Sequence, residues 1–294
     1  MRFTLGGAPC RFAWSHPERG TAAVGFGEVD GAGVGPVDWL LGAPADELPG
    51  PWFGGFAFDA ERPWAGFPAE CWVLPRVLLW NGRTGPHAAA FGLPGTPVER
   101  LLAELDGLAS QRPAHAMPVA RLVSEDRAGW NGQIAAALST PGLSKVVLAR
   151  TATVEADGPW PEAVVLEALQ TRHPSCRTYL WRGDDGAVLL GATPETLCEV
   201  RDGQLRTEAL AGTSASERGV ALLASEKDAR EHQLVVDGVV AALGPHCTSV
   251  ALGGRELRRV GPLTHLRTPV SAALRPGVDP LTAARALHPT PAVC

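Results

Sequence analysis

The chain has 294 residues with 26 basic and 31 acidic side chains, a formal net charge of −5 that leaves no basic footprint for nucleic acid. Hydrophobic residues make up 45% and charged residues 19%, enough to bury a large core and to exclude intrinsic disorder as the resting state. With 34 glycines and 26 prolines the chain is rich in turn formers, and its length suits one large domain or two smaller ones.

Residues 1 to about 95 alternate turn-forming clusters with short apolar runs, Phe53 to Phe58 and Val73 to Trp80 among them, which predicts antiparallel sheet. Val98, Leu101, Leu102, Leu105 and Leu108 recur at helical spacing, so a helix is expected over Val98 to Ala109. After a Pro-containing link at 113–118, helices and strands alternate. Trp130 to Leu138 reads as helix, the β-branched run Lys145 to Val154 as strand, and Pro161 to Gln170 as helix with proline at a tolerated first-turn position. Strands follow at Arg177 to Arg182 and Ala187 to Leu190. The turn pair Asp202-Gly203 then joins Glu199-Val200-Arg201 to Gln204-Leu205-Arg206 as a hairpin. A long helix from Glu226 to Leu243 stops at Gly244-Pro245, strands are expected near 256–260 and 264–274, and Pro280 to Leu287 closes the series as a short helix. Antiparallel hairpins with flanking helices define an α+β class.

Six scattered cysteines, Cys10, Cys71, Cys176, Cys198, Cys247 and Cys294, form no CxxC pair, so reduced thiols are expected in place of a disulfide framework or a zinc site. No basic region precedes a sustained apolar run and no stretch reaches the length of a membrane span, which leads to the expectation of a soluble, cytoplasmic, monomeric protein. Of the 26 basic residues only Lys145 and Lys227 are lysines. A guanidinium does not lose its proton at accessible pH whereas an ammonium can, so a lysine kept in such a background is a candidate for proton chemistry. The bland alternative is a solvated surface cation, and Lys227 reads as such a helix lysine.

Four segments combine unusual residues: Ser144-Lys145-Val146-Val147-Leu148-Ala149-Arg150, Gly191-Ala192-Thr193-Pro194-Glu195, Thr207-Glu208-Ala209-Leu210-Ala211-Gly212-Thr213, and Glu226-Lys227-Asp228-Ala229-Arg230-Glu231-His232. Singly each has an ordinary reading. Thr193-Pro194-Glu195 can cap a helix; Ala211-Gly212-Thr213 can be a strand-to-loop turn. Asp228 and Glu231, three apart on one helix face, repel unless a cation lies between them or water solvates them beside Arg230.

Together, and with His288-Pro289-Thr290-Pro291-Ala292-Val293, the segments resemble the chorismate-utilising enzyme family, most closely its isochorismate synthase branch of menaquinone and catecholate-siderophore pathways. The resemblance runs from Trp130 to Val293, with a fainter echo in Trp52 to Phe58 and Val73-Leu74-Pro75-Arg76. It implies two face-packed, mainly antiparallel sheets with helices outside, residues 1–115 forming a mainly β N-terminal part and 116–294 the chorismate-binding region. It further implies Lys145 as the base that activates water, Glu195 as the acid for the departing hydroxyl, and Gly212, Thr213 and His265 as substrate contacts. Asp228 and Glu231 become ligands to Mg²⁺. Aminodeoxychorismate synthases carry a nucleophilic lysine where this chain has Ala211, and anthranilate synthases lack the water-activating lysine. Salicylate synthases, which eliminate pyruvate after the same isomerisation, share Lys145, Glu195 and the Ala-Gly-Thr loop and remain an alternative. The family also continues beyond the position of Cys294 into a segment with a second metal-binding Glu and a carboxylate-holding Tyr and Arg. The chain is therefore expected to be truncated, and an inactive remnant is the rival reading from another class.

Overall fold

The computed structural model describes residues 3–5, 8–29, 52–82, 85–110, 117–124, 127–143 and 145–293. Ser144, Cys294 and most of the 113–118 link lie outside them. The chain forms two compact units, Met1–Ala116 with Pro161–Pro194, and Met117–Trp160 with Glu195–Cys294.

In the first unit a six-stranded antiparallel sheet runs in the order Val188–Thr193, Arg177–Arg182, Phe12–His16, Thr21–Phe26, Val77–Gly82, Gly85–Ala90. The pairing of Arg177–Arg182 with Phe12–His16 draws residues 161–194 into this unit. Ala13, Val24, Phe26, Val77 and Leu180 form a buried cluster, supported by Leu166 of the helix Glu162–Arg172. Beyond the helix Val98–Asp106, Leu108–Ser110 continues as a strand paired with Phe3–Leu5, which ends the expected helix early. Strand Phe53–Phe56 pairs with Glu70–Val73.

The second unit is built on a five-stranded sheet, Glu199–Arg201, Gln204–Ala215, Leu263–Leu274 and Cys247–Leu252 in order, with Glu256–Val260 also paired to Leu263–Leu274. The Asp202-Gly203 hairpin forms as expected, with both residues at positive φ, 51° and 73°. The helix Glu226–Leu243 matches its predicted bounds, and its buried residues His232, Val235, Val236, Val239 and Leu243 recur at helical spacing. They meet one face of the sheet, where Leu205, Val239, Leu243, Val270 and Ala272 cluster with Ala283 and Leu287 around the helix Pro280–Ala286. A second cluster joins Ala209 to Val235 and Val236.

The strand expected over Lys145 to Val154 does not form at that length. Only Thr153–Ala156 is extended and paired, with Ala120–Ser124, and residues 145–152 have no regular structure. A β-branched run becomes a strand only where a neighbouring strand supplies ladder partners, and among the described residues none runs beside 145–152. The helix before it spans Arg127–Ser139. Among the described residues no helix is long and apolar enough to cross a membrane.

Candidate active site

Strand Gln204–Ala215 alternates. Leu205, Thr207, Ala209 and Ala211 turn toward the Glu226–Leu243 helix, and Glu208 and Leu210 toward the opposite face. By that alternation Thr213 belongs under the helix. The register shifts between Ala211 and Thr213, however, so Ala211 stands opposite Leu266 and Thr213 opposite His265. Gly212 is the inserted residue, with φ of 75°. The bulge turns the exposed Thr213 onto the open face, where its Oγ1 and His265 Nδ1 share a hydrogen bond at 2.9 Å. Burial pushes the His265 pKa down, with the Arg258 guanidinium adding to the effect and the Gly212 carbonyl opposing it. The environment of His265 thus favours its neutral form. Gly212 is therefore a β-bulge inside a strand, and the turn reading is set aside.

Glu195 lies in the connection between Val188–Thr193 and Glu199–Arg201, with no helix to cap, so the capping reading of Thr193-Pro194-Glu195 fails. Burial pushes its carboxyl pKa up, the nearby Glu208 carboxylate pushes it further, and Arg258 pulls it down. Glu208 is 7% exposed and ion-paired to both Arg258 and Arg267, and Arg267 also reaches Glu256. Arg258 stands opposite His265 in the strand ladder. Arg258, His265 and Thr213 are thereby linked on one face of the sheet. Sequence reading had Glu208 within a motif but gave it no role and passed over Arg258 and Arg267. The available signal was an acidic residue directly before the apolar run Ala209-Leu210-Ala211.

At the N-terminus of the Glu226–Leu243 helix the Ser225 hydroxyl accepts from the Asp228 N–H at 3.2 Å, and Glu226 and Asp228 favour the helix dipole. The Lys227 ammonium lies 3.7 Å from Asp228 Oδ1 and 3.3 Å from Glu231 Oε2, and both carboxylates hold its pKa above the usual lysine value. Lys227 is the solvated helix lysine expected, 77% exposed, and its ammonium reaches both carboxylates. His232, next in sequence, turns inward, 2% exposed, and its Nε2 meets Thr268 Oγ1 at 2.8 Å, which pins the helix to the sheet and leaves Glu231 outside. Gly212 lies beneath Asp228, since a Cβ built there would sit 3.4 Å from Asp228 Cβ. Among the described residues no group of three or more His, Cys, Asp or Glu is spaced to hold a metal. The two carboxylates nonetheless suit Mg²⁺, which takes oxygen donors, is commonly held through one or two carboxylates, and completes its shell with water and substrate oxygens. Their joint approach to one ammonium shows that they can face a common cation.

Lys145 is half-buried and donates to the carbonyl of Pro291. Pro291 in turn packs against Gly238 of the Glu226–Leu243 helix, where any Cβ would collide with its ring. The contacts thus join Thr213 with His265, Gly212 with Asp228, and Asp228 with Glu231 through Lys227. Lys145 connects to the same helix through Pro291.

The family model for chorismate binding enzymes matches residues 46–294. The chain belongs to this family. It is 31% identical to the salicylate biosynthesis isochorismate synthase of Pseudomonas aeruginosa over 325 aligned positions, covering 97% of this chain and 67% of the relative. Isochorismate synthase EntC of Escherichia coli is 34% identical over 168 positions, 54% of this chain and 43% of the relative. The chain therefore spans roughly two fifths to two thirds of the length of these curated relatives. Among solved structures, MenF, the menaquinone-specific isochorismate synthase of Escherichia coli, aligns with a TM-score of 0.76 at 23% identity over 98% of this chain and 71% of that one. Anthranilate synthase component I of Streptococcus pneumoniae aligns at 0.64 and 18% identity over 98% and 73%. These two likenesses establish the fold, which hosts more than one reaction, so the reaction has to be argued from the site.

Proposed function

We propose that this chain is an isochorismate synthase, a cytosolic isomerase that converts chorismate to isochorismate with Mg²⁺ bound. Water adds at C2 of the ring, the double bonds shift, and the C4 hydroxyl departs. Lys145 takes a proton from the attacking water and Glu195 gives one to the leaving hydroxyl, so one water enters and one leaves. Thr213 and Gly212 hold a substrate carboxylate, and neutral His265 walls the ring. Asp228 and Glu231 would hold the metal directly or through water. When bound, the ion neutralises and orients the ring carboxylate.

The observation that carries this reading is Glu195, a partly buried carboxyl in surroundings that favour its protonated form, in the same unit as the Thr213–His265 pair. A general acid needs its proton near the working pH. Ala211, where an amine-forming relative carries a nucleophilic lysine, favours hydration over amination, as do the isochorismate synthases among the relatives.

The test is incubation of the purified chain with chorismate, Mg²⁺ and ammonium, with products resolved by mass spectrometry. Isochorismate free of added nitrogen is expected. Aminated product overturns the branch, and pyruvate with salicylate moves the chain to the salicylate synthases. Binding of chorismate without turnover by a chain extended through the family's C-terminal segment makes it a non-catalytic remnant. Lys145→Arg keeps the cation but cannot accept the proton, so turnover should fall by about 10²- to 10⁴-fold while the chain stays folded; retained turnover removes Lys145 from the mechanism.

A further inference from the structure

Gly238 lies inside the helix Glu226–Leu243, where on helix propensity alone alanine is the better residue. An interior glycine of this kind calls for a packing reason. The reason here is Pro291. A Cβ on residue 238 would stand 2.3 Å from Pro291 Cγ and 3.1 Å from its Cδ, so no side chain fits there unless the ring moves. Val235 lies three residues earlier on the same helical face, and Ala292, next to Pro291, packs against the cluster of Ala209, Val235 and Val236. The Val293 N–H donates to the Thr290 carbonyl at 3.0 Å and closes a turn around Pro291. Residues 290–293 are thereby seated on the helix, with the proline ring in the gap that Gly238 leaves.

The other side of Pro291 faces the second lysine of the chain. Its carbonyl accepts a hydrogen bond from Lys145 Nζ. Lys145 opens the irregular stretch 145–152, where among the described residues no strand ladder fixes the backbone. Its side chain is therefore directed by the acceptor at its tip. That acceptor is a backbone atom, and the contact of ring with glycine sets where it stands. A base works only from a fixed place and angle, and a misplacement of about 1 Å can cost about 10²-fold in rate.

We propose that Gly238 is a positioning residue for the base: the room it leaves seats Pro291, and the Pro291 carbonyl then holds Lys145 Nζ in its working place. The inference rests on the reading of Lys145 as the base. It gives Gly238 no contact with substrate.

Lys145 and Lys227 are the two lysines of the chain, so competitive acetylation of the full chain with trace acetic anhydride, read by peptide mass spectrometry, reports each amine separately and without turnover. Lys227, on the same helix as Gly238 and 77% exposed, is the internal control. Gly238→Ala should push the Pro291 carbonyl off the half-buried Lys145 and raise its labelling several-fold relative to Lys227. Gly238→Ala with Pro291→Ala removes the ring but keeps the carbonyl, and should return the ratio to that of the parent chain. The kcat for chorismate should follow, falling about tenfold in the single variant and recovering in the double one. Should Gly238→Ala fail to fold, Pro291→Gly unseats the same carbonyl from its own side and should raise the ratio as well. An unmoved ratio in the folded variants, a double variant that does not restore it, or a kcat that does not follow it overturns the inference. Lys145→Arg assayed with chorismate separates the two claims. An inactive Lys145→Arg beside an unmoved ratio overturns the role of Gly238 alone, whereas an active one overturns the base assignment whatever the labelling shows.

Discussion

Strands Gln204–Ala215 and Leu263–Leu274 pair along their whole length and bury Leu205, Ala209, Leu266 and Val270 beneath a helix, each at 2% exposure or less. In the same unit residues 117–154 carry as many aliphatic side chains and leave them in water: Val119 is 77% exposed, Leu122 57%, Leu138 84% and Val146 48%. The ribbon of Ala120–Ser124 with Thr153–Ala156 has only two strands, and two strands are marginal without a third or a covering helix. Composition is similar in both regions; what differs is the number of partners. The proposed acid and substrate contacts stand on or beside the well-paired region, and the proposed base on the sparsely paired one.

The contrast is broken most directly by cutting into each side. Leu266→Ala removes a fully buried side chain and should cost about 2–5 kcal/mol in urea unfolding. A loss below about 1 kcal/mol would show that the five-stranded sheet is no more firmly packed than the ribbon. Gly212→Ala should cost about 1–2 kcal/mol, because φ of 75° is unfavourable for an L side chain; a silent exchange would mean the bulge is not held in place by its neighbours.

Glu195 sharpens the comparison through pH. Its folded pKa is raised, so its contribution to stability is fully present below the unfolded glutamate value near 4.3 and is lost as pH rises through the raised value. Glu195→Gln does not titrate, and its melting temperature relative to the parent chain should therefore climb as pH increases from about 4 toward neutrality. A constant difference would mean that the folded chain does not hold the proton. His265 has the opposite sign. Its pKa is lowered, so its contribution is present above about 6.5 and is lost as pH falls toward the lowered value; His265→Asn should soften the acid side of the stability profile.

The smallest effect belongs to the ribbon. Leu122→Ser, at a position 57% exposed, should change stability by no more than about 0.5 kcal/mol. Amide exchange should separate the regions as well, slow across residues 263–274 and fast across 145–152.

Much of the well-paired region was legible in the sequence. The 226–243 helix carries its own cap, apolar stripe and stop, and the Asp202-Gly203 hairpin is set by two residues that tolerate positive φ. Helix and turn signals are local, so neighbouring residues suffice to read them. The 145–154 run misled because a strand is a relation between segments: its β-branched side chains state a preference that only a partner can fulfil. The candidate residues were legible through their motifs, and the structure draws most of them into one contact chain. The Glu208 group was not legible, because Arg258 and Arg267 lie 50 and 59 positions away and only the strand register brings them to it.

Gly212 has a consequence for how this stretch tolerates change in length. Because Gly212 is the residue without a partner, deleting it would leave Ala211 opposite Leu266 and Thr213 opposite His265 in an unbroken ladder. Deleting Thr213 instead would bring Ser214 opposite His265 and Ala215 opposite Thr264, a slip read by every later position together. The 212–215 segment can therefore lose its inserted glycine and keep its pairing, but no position after it.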